Sequence, residues 1–456
     1  MLRLLTAAKQ PVNRRGTDRP RTHRSPPMPQ SRPTRSFVRP LVASLGLAFA
    51  ATVANAAPAA DVRALAQQEQ QPLLDTLRDL VQIESGSKDI DGLNQIAARI
   101  AGQLKQLGGT VDILQTTDIY RLDDTPEKIG PAVQAVFKGT GSAKIMLIAH
   151  MDTVYLKGML KDQPFRVDGD KAYGLGIADD KQGIATIIHT VALLQKLNFK
   201  DYGTLTVLIN GDEEISSPGW RSTITRLAAE QDTVFSFEGS DANGTLRLAT
   251  SGIGSAYLTV HGKSSHAGAR PEGGVNALYE LSHQVLQMKD LSKPEQGLKL
   301  NWTVSKSGTN RNVIPAEATA QADARALKVS DFDELEQALQ DKIKNRLLPD
   351  SKVDVKFEVR RPPLEANDAS RSVAGHGKAI YQELGLSMNV AERATGGGTD
   401  AAFAALKTKG AVVEGMGLSG FGAHSNDAEY VQINSIVPRL YLTTRMIMDL
   451  SDGKVK

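Results

Sequence analysis

The sequence KIMLIAHMDTV (144–154), followed by GLGIADDKQG (174–183), decides how the rest of the chain is arranged. Its apolar run from Ile145 to Ala149 ends abruptly at His150, and bounded apolar runs of this length are typical of buried strands. Side chains alternate along a strand, so His150 and Asp152 point to the same side at its tip. Open α/β sheets place their chemistry at the carboxyl ends of strands. We therefore expect a functional site at this tip.

Strands and helices alternate on both sides of this stretch. The apolar spacing predicts helices at 61–83, 93–107 and 184–197, and strands at 111–114, 132–137, 145–149, 204–209 and 233–237. Further helices at 369–384, 400–406 and 434–450 and a strand at 411–414 belong to the same domain. Such alternation favours an α/β domain with a mainly parallel sheet flanked by helices.

The pattern changes after Gly252. Strands are predicted at 255–260, 301–306, 319–326 and 353–359, and helices at 274–288 and 331–347. Their β-α-β-β-α-β order is that of a ferredoxin-like α+β domain. A chain of 456 residues is too long for one compact core. We expect a leader at 1–56, a catalytic domain at 57–251 and 361–456, and an inserted domain at 252–360.

The basic residues are concentrated in the leader. The formal net charge is +3, but residues 1–56 hold ten Lys or Arg and one acid, and residues 57–456 carry a net of −6. The basic leader therefore accounts for the high isoelectric point of the whole chain, about 8.8, which does not indicate nucleic-acid binding. The chain has no cysteine, which excludes thiol chemistry and thiolate zinc sites.

The leader has the three regions of an export signal. Arg32, Arg35 and Arg39 precede an apolar run at 41–53, and Ala54-Asn55-Ala56 has the A-x-A form of a cleavage site. The apolar run is too short to span a bilayer. We expect translation to start at Met28, cleavage after Ala56, and a periplasmic or secreted protein. The alternative is a disordered basic arm on a cytoplasmic protein.

Acidic residues and a second histidine extend the predicted site. Glu213 and Glu214 follow the strand at 204–209, Glu238 follows the strand at 233–237, and His424 lies in GAHSNDAEYV (422–431). Nitrogen and oxygen ligands suit a divalent metal, although they do not separate zinc from cobalt or manganese. With Asp179, three carboxylates and one hydroxide would neutralise two divalent ions.

Eight motifs occur in register and together carry a family resemblance. They are HMDTV (150–154), GLGIADDKQG (174–183), NGDEE (210–214), SFEG (236–239), GKSSHAGARPEGGVNAL (262–278), NVIPAEATAQADAR (312–325), TGGGTDAAFA (395–404) and GAHSNDAEYV (422–431). The chain resembles the dinuclear zinc exopeptidases related to aminoacylase, and within them the carboxypeptidase G group of bacterial glutamate carboxypeptidases. The resemblance extends from residue 60 to residue 450.

The resemblance implies two Zn2+ ions per subunit. His150 and Glu238 would hold one ion, Glu214 and His424 would hold the other, and Asp179 would bridge them. A hydroxide held between the metals would attack the amide carbon. The family also has a cis peptide bond at the position of Asp179 and the residue after it.

Other roles also follow from the resemblance. Asp152 would brace His150 as a partner of its imidazole, and Glu213 would be the general base. His266 would stabilise the oxyanion, reaching the site of the partner subunit in a homodimer formed through the inserted dimerisation and lid domain. The residues at substrate-binding positions are Asn312, Arg325, Arg361 and Gly397. Arg325 and Arg361 have an alternative interpretation as salt-bridge partners.

The implied function is hydrolysis of the amide bond to a C-terminal glutamate in N-acyl-glutamates or folate-type conjugates. The glutamate-cleaving relatives have a lysine where this chain has Thr245, and Arg247, on the same strand face, is a candidate substitute. One alternative is an N-acyl-amino-acid deacylase or dipeptidase with broader specificity. The other is a non-catalytic binding protein on the same fold, which would be expected to have lost Glu213 or a metal ligand. We expect a small-molecule substrate, no nucleic-acid partner, and no membrane association after signal removal.

Overall fold

A computed structural model describes residues 59–425 and 428–455. The leader and signal prediction at 1–56 lies outside these residues. Within them, no helix combines the length and the apolar composition needed to cross a bilayer.

The elements before residue 252 are α1 (Ala60–Val81), α2 (Ile90–Gln106), β1 (Thr110–Leu114), β2 (Ala132–Lys138), β3 (Lys144–His150), β4 (Arg166–Asp168), β5 (Lys171–Tyr173), α3 (Gln182–Lys196), β6 (Thr204–Asn210), α4 (Arg221–Ala228), β7 (Thr233–Ser236) and β8 (Leu246–Arg247). They are followed by β9 (Gly252–His261), α5 (Ala277–Met288), β10 (Lys299–Ser307), β11 (Glu317–Ala326), α6 (Val329–Lys342) and β12 (Lys352–Arg361). The last are α7 (Asp368–Glu383), β13 (Val390–Ala391), α8 (Ala401–Ala405), β14 (Ala411–Val413), β15 (Gly420–Phe421), β16 (Tyr430–Gln432) and α9 (Ile436–Ser451).

The central sheet has the strand order β1-β2-β6-β3-β7-β14. The pairs β6–β3, β3–β7 and β7–β14 are parallel, while β1 and β2 form an antiparallel edge. Strand β3 shows why both faces are covered. Its alternate residues Ile145, Leu147 and Ala149 pack in the core on the side of α1, α3 and α9. Met146 and Ile148 pack on the opposite side with residues of α4 and α8. The predicted α/β fold class is confirmed.

A second sheet has the order β10-β11-β9-β12, and every pair in it is antiparallel. This is the ferredoxin-like arrangement predicted from the element order. Its own core joins the sheet to α5 and α6 through residues such as Leu258, Leu281 and Phe332. The predicted helices differ at their ends, because Asn276 caps α5 and delays its start to Ala277, and α6 ends at Lys342.

Two small sheets were not predicted from the sequence. Strands β15, β16, β5 and β4 form one, and β8 pairs with β13 in the other. Each of these strands has two or three residues, which is too short for a periodic pattern. The pairing of β16 with β5 matters for function, because it brings the chain after His424 against the loop that carries Asp179.

Candidate active site

The candidate site lies where three adjacent strands end. Strands β6, β3 and β7 are parallel neighbours, so their carboxyl ends meet at one edge of the sheet. His150 is the last residue of β3. Glu213 and Glu214 follow β6, and Glu238 follows β7 within two residues. The fold thus brings together groups that are far apart in the sequence.

Five side chains form two overlapping clusters that share Asp179. One consists of His150, Asp179 and Glu238, the other of Asp179, Glu214 and His424, and the potential ligand atoms in each lie within 4.8 Å of one another. His150 Nε2 lies 3.0 Å from one oxygen of Asp179 and 3.5 Å from Glu238. His424 Nε2 lies 3.2 Å from the other Asp179 oxygen and 3.2 Å from Glu214. The structure therefore groups the five predicted metal ligands in the predicted pairs.

The carboxylates of these clusters favour positive charge on the groups beside them. Burial lowers the pKa of His150, but its hydrogen bonds with Asp152, Asp179 and Glu238 outweigh burial and raise that pKa well above its usual value. Asp179 and Glu214 raise the pKa of His424 to about 11. Burial, reinforced by the charge of Asp179, raises the pKa of Glu214 to about 7. Two divalent cations would supply this positive charge directly.

Glu214 also has an oxygen that supports a metal ligand role. Its Oε1 is buried and has no hydrogen-bond partner among the described residues, while Oε2 faces His424. A buried carboxylate oxygen is unfavourable unless a hydrogen-bond donor or a cation binds it. With two imidazoles and three carboxylates as donors, the cluster fits a pair of divalent metals bound through nitrogen and oxygen.

Asp152 is a buried carboxylate that contacts both His150 and the turn after β6. It is fully buried, and its Oδ1 lies 3.3 Å from His150 Nδ1. The backbone N–H groups of Glu213 and Glu214 donate to its two oxygens at 3.0 and 3.1 Å, and the Ser87 hydroxyl donates at 2.7 Å. One carboxylate therefore ties the β3 tip to the turn that carries both glutamates.

Glu213 has different partners from its neighbour. Arg361 Nη1 donates to its carboxylate, and Nη2 donates to its main-chain oxygen at 2.7 Å. Burial raises the pKa of Glu213 well above its ordinary value, and Arg361 opposes this shift. Arg361 is itself buried, with Asp400 3.7 Å away. This position favours the salt-bridge interpretation of Arg361, and its substrate-binding role stays a prediction.

A residue that the sequence analysis missed holds the Asp179 loop. Glu429 is buried, and its carboxylate accepts the backbone N–H groups of Gly176, Ala178 and Asp179 at 2.7–3.1 Å. The Tyr155 hydroxyl donates to the same carboxylate. The peptide bond from Asp179 to the next residue is cis, as the resemblance implied. Glu429 lies inside a recognised motif, but its partners are 250 or more positions away in the sequence, beyond the reach of a local pattern.

A cavity of about 510 Å3 opens onto both clusters. Three arginines, Arg247, Arg325 and Arg361, line it together with Gly397. Arg325 binds Asp323 through Nε and Nη2 and the Gly396 carbonyl through Nη1, and its side chain is 29% exposed. The side chain of Arg247 is 31% exposed, and its Nη2 donates to the Gly239 carbonyl. Both arginine side chains therefore line the cavity that the clusters border, and both remain partly exposed.

Two predicted residues lie outside this cavity. His266 and Asn312 are exposed neighbours on the loops next to the second sheet, where the Ala267 N–H donates to the Asn312 carbonyl. Gly268 and Ala269 donate their N–H groups to His266 Nδ1 at 3.2 and 3.1 Å. Neither side chain lines the cavity within its own chain. Their proposed roles stay predictions that require another subunit.

The comparisons with known proteins agree with this geometry. Residues 146–449 match the model of Peptidase family M20/M25/M40. The chain is 43% identical to Carboxypeptidase G2 of Pseudomonas sp. (strain RS-16) over 416 residues, which cover 91% of this chain and 98% of the relative.

Solved structures share the fold. A tripeptidase from Staphylococcus aureus superposes with a TM-score of 0.69 at 22% identity, covering 84% of this chain and 99% of that one. The YXEP protein of Bacillus subtilis, described as a dinuclear metal-binding peptidase of the M20 family, has a TM-score of 0.61 at 15% identity and covers 85% and 99%. The family match and the long alignment at high identity together show that the chain is a metallo-exopeptidase of the carboxypeptidase G group within peptidase family M20/M25/M40.

Proposed function

We propose that the enzyme removes a C-terminal glutamate from N-acyl-glutamates or folate-type conjugates with two zinc ions bound. One observation carries the proposal: a single cavity is lined by members of both carboxylate–histidine clusters and by Arg247 and Arg325, whose side chains are partly exposed. The clusters suit the hydrolysis of an amide, and the arginines suit a product that carries two carboxylates. The Bacillus subtilis structure described as dinuclear supports the number of metals.

The ligands divide into two groups around Asp179. His150 and Glu238 would hold one ion, Glu214 and His424 the other, and Asp179 would contact both. Bound metal ions would acidify a water molecule and polarise the scissile carbonyl. Glu213 is the adjacent carboxylate outside the ligand pairs, held by Arg361 through its side chain and its main-chain oxygen. It would accept a proton from the attacking water and return it to the leaving nitrogen as the C–N bond breaks.

The two partly exposed arginines would each bind one carboxylate of the glutamate. Arg325 would bind the α-carboxylate, which every exopeptidase substrate of this type carries. Arg247 would bind the side-chain carboxylate, since it lines the cavity and belongs to neither cluster. A guanidinium fork binds a carboxylate through two parallel hydrogen bonds, and leaving it unpaired disfavours neutral substrates.

The test compares kcat/KM for N-acyl-glutamate, N-acyl-aspartate and N-acyl-leucine with the same acyl group. We expect glutamate to be preferred over leucine by ~10² or more, because a neutral side chain would leave the exposed part of the Arg247 guanidinium without a substrate carboxylate. Within the chain, Arg247 contacts the Gly239 carbonyl and lies 3.7 Å from Glu414. Arg247→Gln should reduce this preference. Arg226→Gln is the matched control, because Arg226 is exposed on α4 and does not line the cavity. Leucine hydrolysed as well as glutamate would contradict the proposal and favour a deacylase or dipeptidase with broader specificity.

Two further proposals concern the location and the assembly of the protein. We propose that the protein is exported and that it works as a homodimer in which His266 serves the partner's site. The observation behind the second is the exposure of His266, which lies outside the cavity of its own chain.

A further inference from the structure

Arg439 is a fully buried arginine on α9 that the proposed reaction does not use. None of its three guanidinium nitrogens has a hydrogen-bond partner among the described residues. An arginine side chain stays charged in a protein, and its nitrogens only donate hydrogen bonds. A positive charge and its N–H donors therefore lie in the interior without a binding group from this part of the chain.

The surroundings of this guanidinium group come from α9, from α7 and from the loop before β8. The ring of Tyr381, on α7, lies with its centroid 5.5 Å from Arg439 Cζ and covers one face of the group. Gly244, in the loop, is buried and has a left-handed backbone (φ 62°). A Cβ at Gly244 would lie 3.3 Å from Arg439 Nη2 and 3.5 Å from the Tyr381 hydroxyl oxygen. Glycine at this position thus keeps a side chain out of the space beside both donors.

The nearby acid, Asp241, is bonded to its own loop. Its carboxylate accepts the Thr245 hydroxyl at 2.7 and 2.8 Å, the Thr245 N–H at 3.1 Å and the Asn243 N–H at 2.9 Å. Burial lowers the pKa of Arg439, and the charge of Arg247 lowers it further, while Asp241 opposes both from a distance. No carboxylate of the described residues hydrogen-bonds this guanidinium and neutralises it there.

We propose that a single chloride ion binds at Arg439, in the space between α9, α7 and the loop at 241–245. Arg439 Nη2 and the Tyr381 hydroxyl are the donors that face this space. Water would satisfy the N–H groups but leave the charge uncompensated, and a buried charge is costly unless it is paired. The anion must be small, because Arg439 and Gly244 are both buried and neither lines the active-site cavity.

The ion would join three segments of the fold. The loop at 241–245 leads directly into β8, which carries Arg247. An anion at Arg439 would hold this loop against α7 and α9 and would reduce the repulsion between the two arginines. The site lies outside the substrate cavity, so the proposal does not depend on which amide the enzyme hydrolyses, and its first effect is on stability.

Bromide is a probe for a chloride site, because anomalous scattering locates it in a crystal. Crystals of the wild-type protein soaked in sodium bromide should show an anomalous peak within hydrogen-bonding distance of Arg439 Nη2 and the Tyr381 hydroxyl. Water alone at Arg439, with bromide bound only at exposed side chains as an adventitious ion only, would overturn the proposal. This measurement needs no variant, so it still decides the question if a substitution at Arg439 prevents folding.

The second experiment compares the melting temperature in sodium chloride and in sodium gluconate at one ionic strength, which separates binding from screening. Chloride should raise it by ~1–2 °C, since a ligand that binds the folded state stabilises it by mass action. Arg439→Met keeps a long side chain without the charge and should abolish this difference. Tyr381→Phe should weaken chloride affinity about tenfold, as expected when a hydrogen bond to a charged group is lost.

Arg445→Met is the matched control on the same helix. Arg445 already donates to Glu383 and Asp449, so its loss should leave the difference between chloride and gluconate at the wild-type value. A wild-type melting temperature that is equal in the two salts would contradict the proposal. So would a difference that stays unchanged in Arg439→Met.

Discussion

At the scale of single residues, Glu213 and Glu214 are neighbours in the sequence whose carboxylates have different partners. The carboxylate of Glu214 faces His424 and keeps one buried oxygen without a partner in the described chain. The carboxylate of Glu213 faces Arg361. Both acids precede Ser216, whose backbone is left-handed (φ 72°). Position in a motif alone would not reveal this division.

The first prediction follows from this division. Glu213→Gln should keep both metals and lower turnover by ~10² or more, because the amide cannot take up the proton. Turnover is measured beside metal content, and Glu230→Gln, at an exposed position, is the control. Near-normal turnover with both metals bound would refute the general-base assignment.

The site was predicted unevenly from the sequence. The sequence predicted that five side chains would lie together, because each lies in a short motif at or just after the end of an element. They are His150, Asp179, Glu214, Glu238 and His424. Arg361 is a different case, since its contact with Glu213 spans 148 positions and links the end of β12 to the turn after β6. Such a contact depends on how the end of β12 packs against the turn after β6, and no local pattern encodes it.

At the scale of elements, long periodic segments were predicted well and short ones were missed. The strands β3 and β6 and the helices α1 and α3 have apolar patterns long enough to show their period. The end of α6 illustrates the limit. The backbone N–H groups of Leu347 and Leu348 donate to the buried Glu280 carboxylate at 3.2 and 2.6 Å, so these residues leave the helix for a partner on α5.

The pairing of β16 with β5 yields the second prediction. Tyr155 and Glu429 link the His424 segment to the Asp179 loop, since the Tyr155 hydroxyl also donates to the Ser425 carbonyl at 2.9 Å. Tyr155→Phe should weaken metal affinity by ~10- to 100-fold, the usual effect of losing a group that orients ligands. Competition with a chelator measures the affinity, and kcat at saturating metal shows whether the chemistry survives.

The matched control for this variant is Tyr279→Phe, because Tyr279 is 61% exposed on α5. Unchanged metal affinity in Tyr155→Phe would mean that Glu429 holds the loop without help from the tyrosine. Our account of this link as a positioning device would then be wrong.

At the scale of the whole molecule, the second sheet has its own core, and His266 lies beside it, outside the cavity that the two clusters border. The fold class was predictable, because element order determines a ferredoxin-like domain. The boundaries at 251 and 360 and the assembly into dimers stay predictions, as they depend on packing between surfaces.

The third prediction concerns assembly. His266→Ala should lower turnover by ~10²–10³ with little loss of metal, as expected when an oxyanion donor is removed. Mixing His266→Ala subunits with Glu213→Gln subunits should restore one working site per heterodimer. His261→Ala, at the end of β9 and 46% exposed, is the control for the first variant. Heterodimers that form without recovery of activity would show that His266 serves its own chain.

In the proposed dinuclear site, Asp179 joins two metal subsites, one with His150 and Glu238 and one with Glu214 and His424. The most direct measurement is the zinc content per chain of the purified mature protein, by mass spectrometry of the metal, for the wild type and for His424→Ala. We predict two zinc ions per wild-type chain and one in His424→Ala, with hydrolysis lost on chelation and restored by zinc. A wild-type chain that is fully active with a single ion, or a His424→Ala chain that keeps both ions at wild-type affinity, would contradict the account.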